Sequence, residues 1–196
     1  IHRITAARVF QVGFDEVTDD MRSAAKAVNF GIVYGISAYS LSEDIGVSVR
    51  EAESFINGYF ARYPSVKAFM DEAVAAAKAK GYSETLWGRR RPLPELASGN
   101  FTTRSFGERA AMNMPVQGSA ADIIKIAMVK VYKRLQQEGL RSRLILQVHD
   151  ELLIEAHKDE LEIVKGILMD EMQNAVDIGV AMAIDIGVGK NWYESK

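Results

Sequence analysis

Fifteen residues, Met21-Arg22-Ser23-Ala24-Ala25-Lys26-Ala27-Val28-Asn29-Phe30-Gly31-Ile32-Val33-Tyr34-Gly35, constrain this chain more than any other stretch. Wound as a helix, they put Arg22, Lys26, Phe30 and Tyr34 at about 0, 40, 80 and 120° around the axis, each step rising about 6 Å. The back, from about 140 to 280°, carries Ala27, Gly31, Ala24, Val28 and Ile32, a small apolar surface suited to close packing. Two cations followed by two aromatic rings face forward. That front is either the solvated basic edge of an amphipathic helix or a surface for a ligand with a polyphosphate at one end and a flat base at the other.

Length and composition set bounds on the rest. The 196 residues suffice for one large or two small domains, and 48% hydrophobic with 26% charged residues is ordinary globular composition. With no cysteine, disulfides and thiolate metal sites are excluded. No signal peptide and no bilayer-length apolar run is present, so a cytoplasmic setting without membrane partners is expected. The net charge of −2 is unevenly spread. Lys78 to Arg109 holds seven cations against three anions, whereas Asp150 to Asp185 holds ten carboxylates against two lysines. A basic middle and an acidic end fit either an ordinary surface or a protein that holds phosphates in one place and metal ions in another.

In chain order, a helical pattern already runs at Ile4, Ala7, Val9 and Phe10, with no methionine or cap before it, as expected of a piece cut from something longer. Thr18-Asp19-Asp20 supplies a cap and first-turn carboxylates for the central helix. Ser37 to Ile45 reads as a short helix, and Ser48 caps another running to about Arg62, with Ala52, Phe55, Ile56 and Tyr59 inward. Pro64 and Gly81 bracket a third, with Val66, Phe69, Met70, Ala73, Val74 and Ala77 on its buried face. Tyr82 to Trp87 and Arg91 to Leu93 read as short strands joined through Gly88-Arg89-Arg90. Three adjacent arginines there suit a solvated loop or a phosphate-contacting one equally.

A helix from about Thr103 is expected to stop at Pro115, and a second, capped by Ser119, to run to Gly139 with Ile123, Ile124, Ala127, Val131 and Leu135 inward. Arg109, Asn113 and Gln117 are four apart and share a face while the helix lasts. Arg143 to Val148 and Glu151 to Ala156 alternate as the strands of a hairpin with His149-Asp150 at the turn, a rigid platform that holds carboxylates at its tip. A helix from Lys158 to about Val176 and a strand from Met182 to Val188 follow, with Trp192 and Tyr193 packing the tail. There are no repeats and no low-complexity linker.

Three strings in this order, Arg-x3-Lys-x3-Phe-x3-Tyr-Gly from Arg22, Arg-x3-Asn-Met-Pro-Val-Gln-Gly-Ser-Ala-Ala-Asp from Arg109 and Leu-Gln-Val-His-Asp-Glu ending at Glu151, resemble family A DNA polymerases of the bacterial DNA polymerase I type. The resemblance runs over essentially the whole chain without large insertions. It implies an α/β (α+β) fold: a mostly helical fingers subdomain over 1–97, then the C-terminal part of an antiparallel-sheet palm over 98–196. It implies that Arg22 and Lys26 clamp the triphosphate of a dNTP, that Lys26 protonates pyrophosphate, and that Phe30 stacks near base and sugar. Tyr34 then guards the template position. His2, which on its own reads as a surface histidine, gains a phosphate contact from the resemblance because it stands twenty residues before Arg22. Arg109, Asn113 and Gln117 become contacts to primer and template in the minor groove, where hydrogen-bond acceptors follow base-pair shape without reading sequence. Asp150 becomes a ligand of catalytic Mg2+, Glu151 its catalytic neighbour, and His149 a contact to the primer end.

The family's first motif, with the other metal-binding aspartate, lies upstream of the matching stretch, so by resemblance the two-ion site is half built and the piece alone is expected to be inactive. The intact enzyme is expected to be a monomer that acts on primer-template DNA in replication and repair. The alternative is a non-catalytic nucleic-acid-binding module on the same scaffold, against which the presence of His149, Asp150 and Lys26 speaks. A phosphate-binding metabolic protein would need a Gly-rich phosphate loop, and none is found.

Overall fold

A computed structural model of the chain describes residues 2–195. Its contacts divide into two compact units: 1–84 with 90–115, and 85–89 with 116–196. The first unit runs on to Pro115 and the second begins at Val116, with the turn 85–89 packing in the second.

In the first unit, α1 (His2–Val9) packs on α2 (Asp19–Val33) through the buried Ala6, Val17 and Ala25. Thr18 caps α2 by accepting from the Met21 N–H at 3.2 Å, and Asp19 and Asp20 occupy its positive first turn. Helix α3 (Ala38–Ile45) and helix α4 (Val49–Arg62) start at Ser37 and Ser48, whose hydroxyls accept from Ser40 and Glu51 N–H groups. The sequence pattern anticipates the Ser48 cap, whereas Ser37, expected as the first helical residue, is itself a cap. Val28 and Ile32 of α2 meet Leu41 and Ala52 in one cluster, each fully buried aliphatic being worth about 1.5–3 kcal/mol. Helix α5 (Pro64–Lys80) starts at proline and ends at Gly81, whose φ of 79° no side-chain-bearing residue adopts cheaply. Met70 and Ala77 are its buried residues, whereas Phe69, expected inward, is 43% exposed.

The strand expectations need trimming. β1 (Tyr82–Glu84) and β2 (Arg90–Pro92) pair antiparallel over three residues each, because Gly88, at φ 78°, and its neighbours form the turn. Helix α6 (Phe101–Asn113) begins two residues earlier than expected, because the Asn100 side chain accepts from the Thr103 N–H and caps it. Its Ala110 and Ala111 bury against Ala77 and Leu93.

Pro115 does not stop the helix. Met114 to Gly118 forms a π-turn that passes directly into α7 (Ser119–Gln137). A wider turn makes room for a ring that donates no N–H and would collide with the carbonyl four residues back. Ser119 consequently caps nothing, and its hydroxyl accepts from the Leu86 N–H at 2.9 Å.

The second unit is built on a β-hairpin of β3 (Arg143–Val148) and β4 (Glu151–Glu155), in antiparallel register with a bulge between Leu144 and Leu146. Val131 and Leu135 of α7 and Val164 and Ile167 of α8 (Leu161–Gln173) form its core against the hairpin. The strand expected over Met182 to Val188 does not form. Met182, Ile184 and Ile186 are half-buried and alternate with exposed neighbours, the two-residue period of a strand, but no ladder partner among the described residues pairs with them. Tyr193, expected to pack, is 91% exposed. The observed class, helices with small antiparallel sheets, is the α+β arrangement expected from the sequence.

Candidate functional site

The face of α2 is assembled as the spacing predicts. Arg22, Lys26, Phe30 and Tyr34 are all exposed. The Lys26 ammonium lies 5.8 Å from the centre of the Phe30 ring, and the Phe30 and Tyr34 rings stand 6.0 Å apart. Tyr34 is the C-cap of α2 and not part of its body, its N–H returning to the Phe30 carbonyl at 2.9 Å. His2, far away in sequence, joins this face through α1: its ring centre is 5.9 Å from that of Phe30. Burial, together with the cationic groups around it, Lys26 and Arg22 among them, holds the His2 imidazole below its ordinary pKa. Cations and rings therefore share one surface able to take phosphate at one end and a flat ring at the other.

The helix closes at Gly35, with φ 77°. A Cβ there would stand 2.6 Å from Met112 Cε and 3.2 Å from Arg109 Cγ, so the turn after Tyr34 packs on the Arg109 stem. Arg109 is exposed on α6 and Asn113 is half-buried at its end. Gln117 is exposed in the π-turn.

Each of the three adjacent arginines is engaged within the chain. Arg89 donates through Nε to Asp122 at 2.7 Å and through its terminal nitrogen to the Gly118 carbonyl at 2.8 Å. Arg90 stacks over Tyr82 at 4.5 Å, and Arg91 lies 6.0 Å from the Phe106 ring centre. Residues alone leave the choice even, and the resemblance tilts it toward DNA proximity without a role for each arginine; two nitrogens of Arg89 are engaged within the chain.

In the second unit, His149 and Asp150 form the hairpin turn and are exposed, as is Glu151. His149 has φ 51°, an uncommon conformation for a residue with a side chain. The Gln147 amide donates to the His149 carbonyl at 2.7 Å and braces the turn. Glu151 accepts from the Trp192 indole N–H at 3.1 Å, so Trp192 secures the tail to the hairpin. A cavity of about 660 Å³ borders the hairpin, lined by Leu146, Val148, Asp150 and Glu151 with Leu168 and Trp192 among others. Carboxylate oxygens suit a hard divalent ion such as Mg2+. Among the described residues no three His, Cys, Asp or Glu side chains are grouped so as to hold a metal ion.

The family model for DNA polymerase family A matches residues 1–194. The chain belongs to that family. It is 54% identical over its whole length to DNA polymerase I of Caldicellulosiruptor bescii and 52% identical to that of Bacillus subtilis, covering 23% and 22% of those proteins. Among solved structures it matches the POL domain of Pol1 from M. smegmatis in complex with DNA primer-template and dNTP, at a TM-score of 0.92 and 42% identity, over 99% of this chain and 34% of that one. The family A chain thus spans less than a quarter of the curated relatives it matches. In the family A chain no described helix is long and apolar enough to cross a membrane.

Sequence spacing located the α2 stripe and the hairpin tip. It marked Asn29 as unusual in the helix but gave it no partner, whereas Asn29 is 5% exposed and bonded to His2, and it missed the hold of Trp192 on Glu151. Asn29 had one visible signal, a polar residue beside the buried arc of Ala25 and Ile32. Trp192 had none, because 41 residues separate it from its partner.

Proposed function

We propose that this chain is the fingers subdomain and C-terminal palm of a template-directed DNA polymerase that transfers deoxynucleotides from dNTPs to a primer 3′-hydroxyl in replication and repair. The observation that carries the reading is the face on which half-buried His2 meets exposed Lys26, Phe30 and Tyr34, with Arg22 on the same helix.

In this reading Arg22 and Lys26 hold the triphosphate, and Lys26 carries the proton that the departing pyrophosphate takes up. His2 hydrogen-bonds the phosphates. Phe30 stacks on the incoming base and sugar, and Tyr34 occupies the template side. Arg109, Asn113 and Gln117 contact the minor groove of primer and template, and His149 meets the primer end. Asp150, with Glu151 beside it, holds divalent metal. Two Mg2+ ions, when bound, lower the pKa of the primer hydroxyl and neutralise charge on the leaving group. Asp150 and Glu151 do not complete a two-ion site, so this stretch alone is inert. The polymerase acts as a cytoplasmic monomer.

Magnesium-dependent primer extension tests the reading on an intact polymerase carrying these residues, its Asp150→Ala variant and the 196-residue chain. Extension by the intact protein only supports it. An intact protein that binds primed DNA but adds no nucleotide, or an active Asp150→Ala variant, overturns it, the former in favour of a non-catalytic binding module.

A further inference from the structure

Asn29 is a buried amide beside a face built of half-buried His2 and exposed Lys26, Phe30 and Tyr34. It is 5% exposed, and α2 turns it toward α1. Its carboxamide bridges two residues one turn apart on α1: the Thr5 hydroxyl lies 3.1 Å from Oδ1, and Nδ2 lies 2.9 Å from His2 Nδ1.

An amide nitrogen only donates and an amide oxygen only accepts. With Thr5 donating to Oδ1, the NH2 group faces His2, and Nδ1 of His2 must be the acceptor. A neutral imidazole with Nδ1 unprotonated carries its proton on Nε2. Burial first, and then neighbouring positive charge, lower the pKa of the ring and so favour its neutral form. The tautomer matters for an anionic ligand: Nε2–H donates to a phosphate oxygen, whereas the opposite tautomer turns a lone pair toward it.

We propose that Asn29 is a positioning residue that fixes His2 as the Nε2–H tautomer, with Thr5 orienting the Asn29 amide, so that a neutral His2 donates a hydrogen bond to the phosphates of the incoming nucleotide. The proposal rests on the reading of His2 as a phosphate contact. The reversed amide, with Oδ1 on a protonated Nδ1 and Nδ2 on Thr5, is the competing arrangement.

The test uses the full-length polymerase labelled with 15N-histidine, the His2 signals being assigned by their loss in His2→Gln. Nitrogen shifts of the unmodified protein are expected to show Nδ1 unprotonated and Nε2 protonated, and Asn29→Asp to protonate Nδ1. In steady state, at a pH where the nitrogen shifts show the variant's ring neutral with its proton on Nδ1, Asn29→Asp is expected to raise KM for dNTP about tenfold with kcat within about twofold, the worth of one misplaced charge-assisted hydrogen bond. Thr5→Val, nearly isosteric, is expected to raise it about two- to threefold and covers the case in which the Asn29 variant fails to fold. In a His2→Gln background, Asn29→Asp is expected to add less than about twofold, since its effect passes through His2. A protonated Nδ1 in the unmodified protein overturns the proposal, as does an undiminished Asn29→Asp effect in the His2→Gln background. If His2→Gln leaves KM unchanged, the phosphate contact itself is refuted, while the nitrogen shifts still decide the tautomer.

Discussion

Glu160 grips Ser142 at two points, accepting from its backbone N–H at 2.9 Å and from its hydroxyl at 2.6 Å. The same carboxylate accepts from the Arg141 N–H at 3.1 Å, and the Ser142 hydroxyl accepts in turn from the His157 N–H at 2.9 Å. The entry to β3 is thereby tied to the turn before α8, which sets the base of the hairpin whose tip carries Asp150.

These bonds, that from the Ser142 hydroxyl first, pull the Glu160 carboxyl down to a pKa of about 2. A depressed folded-state value stabilises above the ordinary carboxylate range and loses that stabilisation as pH falls toward 2. Glu160→Gln is therefore expected to lower the urea midpoint at pH 7, with a gap from the unmodified protein that narrows below pH 4.5 and closes near pH 2. Denaturation midpoints at pH 7 and pH 3 check this; a gap that widens in acid refutes it.

Arg89 joins Asp122 and the Gly118 carbonyl in the segment leading into α7. Arg89→Ala is expected to cost about 1–2 kcal/mol, mostly because Asp122, with its side chain 13% exposed, loses its counter-charge. Adding Asp122→Asn should recover part of that loss. The measurement is unfolding of the single and double variants, and strict additivity would show the pair uncoupled.

Gly35→Ala combines a φ of 77° with a Cβ 2.6 Å from Met112 Cε and 3.2 Å from Arg109 Cγ. The methionine end can move, but the backbone strain remains. About 1–3 kcal/mol of destabilisation is expected. Since the Arg109 stem is displaced, affinity for primed DNA should fall as well, measurable by titration in the intact polymerase.

Phe30 sits between the rings of His2 and Tyr34. The resemblance to family A polymerases implies that tyrosine in place of Phe30 eases acceptance of dideoxynucleotides, so Phe30 is expected to discriminate against them. Phe30→Tyr should relax that discrimination at least about tenfold, the worth of one hydrogen bond. Competing incorporation of deoxy- and dideoxynucleotides gives the ratio; equal ratios count against a sugar-side position for this ring.

Local rules made much of the chain legible. Thr18 and Ser48 announce their helices because a cap needs only a hydroxyl within three residues of an N–H. The stripe from Arg22 to Tyr34 follows from helical pitch, and the hairpin at His149 and Asp150 from two-residue alternation. Pro115 misled, since a π-turn absorbs a ring that the ordinary helix would expel. Met182 to Val188 misled for a different reason: alternation marks a chain ready to pair, and pairing requires a partner that spacing does not supply.

By itself the sequence determined the helices, the hairpin, the order of cations and rings on α2, and the family motifs, all consequences of contacts within a few residues. Only the tertiary structure decided that His2 lies against Phe30, that Asn29 bonds it, that Arg89 is held by Asp122, and that Trp192 reaches Glu151. Those partners are about 27 to 41 residues apart. Which distant polar group meets which is set by how buried faces stack, and a linear pattern carries no record of that.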